Sequence, residues 1–212
     1  MRSPLAEAQR EALIAAMLPD VAFDGWSRAA LRTAARRHGM PASEALALFP
    51  GGAADLVAAF SHRTDRQMLD RFEAAAIDGL RVAERIAVAI GIRFEVLSPW
   101  REAVRRSLSI LAMPQHTPLA LRLTYRTVDA MWYAAGDTAT DFSFYSKRLS
   151  LAAVYATAVL YWLDDRSEDF AETRAFVERR LAGAAGIRRI RRDLEAIIER
   201  MPNPLRLLRP QR

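Results

Sequence analysis

The sequence predicts an all-α protein, and three observations carry that prediction. Apolar residues recur at three- and four-residue spacing along almost the whole chain, alternating Val, Ile or Thr runs are missing, and no Asn-Gly hairpin signal occurs. At 212 residues the chain is long enough to bury a proper core without staples. Cysteine is absent, which excludes disulfides, thiolate metal sites and a cysteine nucleophile.

Helices are predicted over Leu5–Leu18, Trp26–His38, Ala42–Leu48, Ala54–Ala76, Leu80–Leu97, Trp100–Met113, Leu119–Ala135, Phe142–Leu163, Asp169–Gly183 and Ile187–Met201. Punctuation sets the stops: Gly39 then Pro41, Pro50-Gly51-Gly52, Pro114, Pro118, Gly136, Gly183 and Pro202. The simplest organisation is an N-terminal module over 1–76, a helical bundle over 77–184 and a basic amphipathic helix and tail over 185–212. The first helix carries Glu7 and Glu11 and has no signal-peptide apolar core, so it reads as a cytoplasmic start. No stretch reaches the roughly 20 apolar residues that a spanning helix requires.

Residues 24–60, "DGWSRAALRTAARRHGMPASEALALFPGGAADLVAAF", have a helix, a Gly39 turn, a short helix and Phe49 before the next long helix. That layout resembles the helix-turn-helix of bacterial TetR-type regulators. Reading DNA requires donors on the second helix, and Ala42–Leu48 offers only Ser43 and Glu44. The motif is therefore read as degenerate, with no nucleic-acid partner. The net charge of +6 leaves an anionic lipid surface as the other candidate. Arg28, Arg32, Arg36 and Arg37 read as a solvated face.

Catalytic candidates are few. His38, His62 and His116 fall on separate elements, no HExxH or helical Glu-x-x-His occurs, and Pro50-Gly51-Gly52 lacks the lysine of a phosphate loop. Neither a metal nor a cofactor is expected. Asp164-Asp165 and Glu168-Asp169 sit at a turn and a helix start, where carboxylates cap free N–H groups. Arg122, Arg126 and Asp129 share helical spacing and predict a paired polar edge.

The predicted helix from Phe142 has two apolar sides. At about 100° per residue, Phe142, Leu149, Ala153, Ala156 and Leu160 align, while Phe144, Leu151, Tyr155 and Trp162 lie nearly opposite. One side must meet the core and the other either a large bundle's interior, a second subunit or another protein. On geometry Phe142 and Leu149 point inward and Phe144 points away with Tyr155, with Lys147 and Arg148 beside Phe144 and Tyr145.

The segments "PLALRLTYRTVDAMWYAAGDTATDFSFYSKR" and "LYWLDDRSEDFAETRAFVERRL", with "FDGWSRAALRTAA" and "FPGGAADLV", resemble the coenzyme Q biosynthesis protein nine family over roughly Leu18 to Leu181. The resemblance implies a TetR-like all-α fold that has lost DNA binding, a homodimer, and an internal pocket for an isoprenoid quinone precursor or a phospholipid. It further implies no catalysis by the chain itself, but assistance to the di-iron hydroxylase that acts late in ubiquinone synthesis. Met131, Asp141, Phe144 and Tyr145 match the family's hydroxylase-docking surface; many members have Trp where this chain has Phe144, and often Asn at Ser143. The resemblance thus implies that Phe144 and Tyr145 face a partner and that Tyr155 and Trp162 are buried.

Phe94, Leu121, Tyr125, Val128 and Trp132 have the chemistry to line such a pocket, with plain core as the alternative for each. In the family a C-terminal amphipathic helix meets the membrane. Here Ile187, Ile190, Leu194, Ile197 and Ile198 line one face and Arg188 and Arg191 lie beside it, so these seven are the membrane-contact candidates. Near an anionic leaflet each Arg adds about 1 kcal/mol of attraction. An ordinary terminal helix packed on the bundle is the alternative.

Together these features predict a peripheral inner-membrane protein on the cytoplasmic side that presents a hydrophobic quinone precursor to a hydroxylase. The alternatives are a TetR-type regulator with an apolar effector and an enzyme acting on an apolar substrate. The second needs a polar cluster that the sequence does not advertise.

Overall fold

The computed structural model of the chain describes residues 3–137 and 142–183, with the side chains of 142–144 outside that description. Those residues are helical almost throughout, with no strand among them. Helix α1 (Pro4–Asp24) starts under a Ser3 cap that accepts the Ala6 N–H at 3.3 Å. It continues past Leu18 through Pro19, beyond its predicted end. A proline inside a helix deletes one hydrogen bond, and buried Met17, Leu18 and Val21 hold the turns on either side of it. Gly25, at φ 65°, turns the chain out of α1.

Helix α2 (Arg28–Arg37) is capped by Ser27, and α3 (Ala42–Leu48) follows as predicted. Trp26 is not the first residue of α2. It is buried ahead of the cap, where its indole N–H donates to the Ala103 carbonyl at 3.1 Å. Arg106 likewise donates to the Ala22 carbonyl at 2.7 Å. These two bonds tie the N-terminal helices to α6 (Arg101–Leu111).

Helices α4 (Ala53–Glu73), α5 (Val82–Leu97), α7 (Thr117–Ala134) and α8 (Phe142–Asp164) surround the centre of the bundle. One apolar core runs from Leu13 and Met17 through Leu56, Met68 and Ile90 to Met131 and Trp162. Inside it lies a polar knot that joins all four helices. Arg93 of α5 donates to Asp65 of α4 and, at 2.6 Å, to the Tyr155 hydroxyl of α8, while Thr127 of α7 donates to Asp65 at 2.9 Å. Burial opposes the Arg93 charge, but Tyr155 and Asp65 outweigh it and raise its pKa; burial likewise raises that of Tyr155.

The last described helix, α9, covers residues 171–183. It begins two residues later than the sequence suggests because Asp169 and Phe170 take positive φ values of 50° and 55°. Such values are unfavourable for residues with a side chain, and they break the helix from the turn before it.

Candidate functional site: two adjoining cavities beside α5

A cavity of about 780 Å³ lies between α5 and α9. Ala87, Val88, Gly91 and Phe94 form its α5 wall, with Phe170 and Val177 opposite. Arg81, Glu84, Glu95, Asp169, Arg174 and Glu178 also border it. An apolar volume of this size with charges among its lining residues suits a ligand with a long apolar part. Gly91 leaves the α5 wall flat, since a Cβ built there meets nothing within 4 Å.

The turn before α9 is fixed by a dense set of bonds. Asp165 accepts the Ser167 N–H at 2.8 Å, the Ser167 hydroxyl at 2.6 Å, the Thr173 N–H at 2.9 Å and the Thr173 hydroxyl. Burial alone would raise the Asp165 pKa, but these hydrogen bonds together hold it at about 2. Arg101 lies over both the Trp162 and Phe170 rings, 4.9 Å from each centroid, and donates to the Trp162 and Asp165 carbonyls. Phe170 is thereby set as a wall of the cavity. The predicted capping role of this acidic turn thus falls chiefly to Asp165.

A second cavity of about 380 Å³ shares Arg81, Ala83 and Leu181 with the first. Arg81, Trp132, Asp137, Lys147 and Ser150 bring polar groups to its otherwise apolar lining.

The five pocket candidates are dispersed. Phe94 lines the larger cavity, stacked on Trp162 with centroids 5.2 Å apart, and Trp132 lines the smaller. Val128 is buried in the core and borders neither. Leu121 and Tyr125 are exposed, on the side of α7 away from its packed residues Leu123, Thr127 and Val128. These three are corrections to the expected lining. Sequence reasoning predicted α9 but placed no pocket candidate on it, although Phe170, Val177 and Leu181 recur at helical spacing.

The docking candidates also separate. Tyr145 is 67% exposed, but Met131 is fully buried, so it supports α7 from within and offers no surface. Asp141 and the side chain of Phe144 lie outside the described residues, as do Ile187, Arg188, Ile190, Arg191, Leu194, Ile197 and Ile198.

One side of α8 corrects the expectation: Leu149 is 75% exposed and Leu160 60%, with Ala153 and Ala156 between them also exposed. Leu151 is buried, and Tyr155 and Trp162 are buried as expected. The reason is charge. Buried Arg148 donates to Asp129 of α7 at 2.6 Å, and Lys147 donates to Asp137 at 2.8 Å, which turns the 147–151 side inward. Asp129 is therefore paired across helices rather than with Arg122 or Arg126; Arg126 instead approaches Asp65 and His62.

The short α3 presents Ser43 and Glu44 to solvent, and Glu44 accepts from Gln9 of α1 at 3.2 Å. Among the described residues no cluster of three or more His, Asp or Glu is placed to hold a metal ion. No single described helix is long and apolar enough to cross a membrane.

An N-terminal three-helix module on a helical bundle is the TetR-like architecture. A TetR transcriptional regulator from Nitrosomonas europaea superposes with a TM-score of 0.67, covering 84% of this chain and 98% of that one at 24% identity. The COQ9 family model matches residues 117–188, the α7–α9 region that carries the outer stripe and part of both cavities. The chain is 30% identical over 179 residues to mitochondrial ubiquinone biosynthesis protein COQ9 of Drosophila melanogaster, covering 82% of this chain. It is 32% identical over 185 residues to the Homo sapiens protein of that name, covering 84% of this chain. The chain belongs to the COQ9 family. The matches span 55% and 58% of the length of those two relatives.

Proposed function

We propose that this chain is a non-catalytic lipid-binding protein of ubiquinone biosynthesis, which holds a hydrophobic quinone precursor and presents it to a di-iron hydroxylase at a membrane surface. The observation that carries this reading is the 780 Å³ cavity between α5 and α9. Its wall is mostly aliphatic and aromatic, which suits an isoprenoid chain better than a polar metabolite. Family membership supplies the pathway, since the matched relatives are named for ubiquinone biosynthesis.

The outer apolar stripe of α8 supports the proposed protein contacts. Large exposed apolar side chains gathered on one helix mark an interaction surface. We assign the Leu149–Leu160 stretch, with Leu121 and Tyr125 of α7, to a homodimer seam, and the Tyr145 end to the hydroxylase. Residues 185–212 supply the proposed membrane contact, through apolar positions interleaved with arginines. A DNA-reading regulator is not favoured, because α3 offers an acidic residue and a serine where phosphates would lie.

The test is organic-solvent extraction of the purified full chain followed by mass spectrometry. An isoprenoid quinone precursor or phospholipid is expected in the extract. Repeated preparations without either would count heavily against the proposal.

A further inference from the structure

Helix α1 has an outward side that the other described residues leave open. Its inward residues Leu13, Ile14, Met17 and Val21 are buried, so the helix is fixed on the bundle. Advancing about 100° per residue, Leu5, Ala8, Ala12, Pro19 and Phe23 fall within about 60° of one another on the other side. Leu5 is 71% exposed and Phe23 85%, with Ala8 and Pro19 exposed between them. Single exposed apolar side chains are ordinary, but an apolar stripe that runs for about 27 Å along one helix marks a contact surface.

Charge identifies what covers it. Helix α2 packs against α1, and Arg37 donates to Asp20, the neighbour of Pro19 in the stripe. Arg28, Arg32 and Arg36 follow at four-residue spacing on the outer side of α2, and all three are exposed. Among the described residues none of the three pairs with a carboxylate; Arg36 donates to the Thr33 hydroxyl. Of the acids close by, Asp20 is taken up by Arg37 and Glu44 accepts from Gln9, which leaves one exposed carboxylate, Asp24, for three arginines. Only the turn at Gly25 separates Phe23 from Arg28. The sequence alone reads these arginines as a solvated face; the exposed stripe beside them gives them a use.

We propose that the outer sides of α1 and α2 form a docking face for an anionic lipid surface, with Leu5 and Phe23 entering the boundary between headgroups and acyl chains and Arg28, Arg32 and Arg36 meeting lipid phosphates. A helix lying in that boundary sinks its apolar side about 5–10 Å and keeps basic residues alongside. Here the neighbouring helix supplies the basic residues. A second copy of this chain fits the face less well, because it brings three more arginines and one Asp24 to match them. Duplex nucleic acid would satisfy the arginines but set a charged backbone against Leu5 and Phe23. The contact is separate from the one assigned to residues 185–212. Two linked contacts multiply in affinity, so losing either weakens the binding of the whole chain.

The test exploits the absence of cysteine, which lets a polarity-sensitive nitrobenzoxadiazole label be attached at one site of the full-length chain through Ala8→Cys. Phosphatidylglycerol vesicles are expected to brighten and blue-shift the label, and phosphatidylcholine vesicles or high salt to remove most of the change. Adding Phe23→Ser to the labelled chain is expected to abolish the response even where residues 185–212 keep the protein on the vesicle. In cosedimentation of the unlabelled chain, Phe23→Ser, and Arg28→Gln with Arg32→Gln, are each expected to weaken binding roughly tenfold. Arg122→Gln with Arg166→Gln removes the same charge from exposed positions elsewhere and is expected to change it by less than about twofold. All these positions are exposed, and helical content and melting temperature check that the variants fold.

A label that stays unchanged while the chain cosediments with the vesicles would place the membrane contact elsewhere and overturn the proposal. A change that grows with protein concentration in the absence of vesicles would assign the face to a second copy, and one produced by duplex DNA rather than by vesicles would assign it to nucleic acid; either result overturns it. No vesicle binding at all would overturn this face and the tail contact together, while leaving the cavity beside α5 untouched.

Discussion

Asp165 gathers four hydrogen bonds from Ser167 and Thr173, and through them fixes the start of α9 against the end of α8. Replacing it with alanine leaves two N–H groups and two hydroxyls without their partner. Asp165→Ala is expected to lower unfolding free energy by about 2 kcal/mol near neutral pH, measured by urea denaturation. The folded-state pKa of about 2 lies below the ordinary carboxylate value, so this stabilisation is complete above that ordinary value. It drains away as pH falls toward about 2, and the gap between wild type and variant should narrow below about pH 4. A gap that stays constant into that range would contradict the assignment. The sequence revealed that these acids cap a turn, because carboxylates at a helix start have that use wherever they occur. It did not reveal that Asp165, rather than Glu168 or Asp169, does the capping, since that depends on the two left-handed residues that follow. Arg93 was equally hidden. A single arginine in the apolar run "AVAIGIRFEVL" reads as an interruption until Asp65, Thr127 and Tyr155 arrive from three other helices.

Helix α8 shows how far periodicity reaches. Its two apolar sides were legible because 100° steps separate Leu149 from Leu151 cleanly. Which of them meets the core was not legible, because both are apolar. Arg148 and Lys147 decide it by reaching Asp129 and Asp137, and carboxylates on another helix and in a turn leave no trace in the α8 pattern. The outward side carries Tyr145 near one end and Leu160 toward the other. If the proposed division of this surface is right, the two ends respond differently. Leu160→Glu should shift sedimentation from dimer to monomer, whereas Tyr145→Lys should leave the dimer intact and weaken pull-down of the hydroxylase. Both variants place charge on an exposed position, so neither should lower the melting temperature by more than a few degrees. Loss of hydroxylase binding in Leu160→Glu alone, or an unchanged dimer, would redraw the boundary.

At the scale of the whole molecule, the all-α class and most helix boundaries followed from spacing and from Gly and Pro stops, because those signals are local. The cavity was less accessible. Its α5 wall contains Phe94, one of the five pocket candidates, but its opposite wall comes from Phe170 and α9, where none of the five lies. Leu121 and Tyr125 have pocket-like chemistry and sit on the surface, since hydrophobicity alone does not distinguish a cavity wall from a protein interface. Gly91 was the quiet signal. A glycine inside a helix costs about 0.5–1 kcal/mol relative to alanine, and here it keeps the cavity wall open. That makes Gly91→Phe the most direct probe of the central claim. The new Cβ enters open space from a backbone whose φ suits any residue, so the bundle should keep its stability while the ring fills the cavity that Gly91 lines. Lipid extracted from wild-type and Gly91→Phe protein, quantified by mass spectrometry against protein amount, should fall by roughly tenfold or more in the variant if the cavity is the binding site. Equal lipid in the two folded proteins would contradict it.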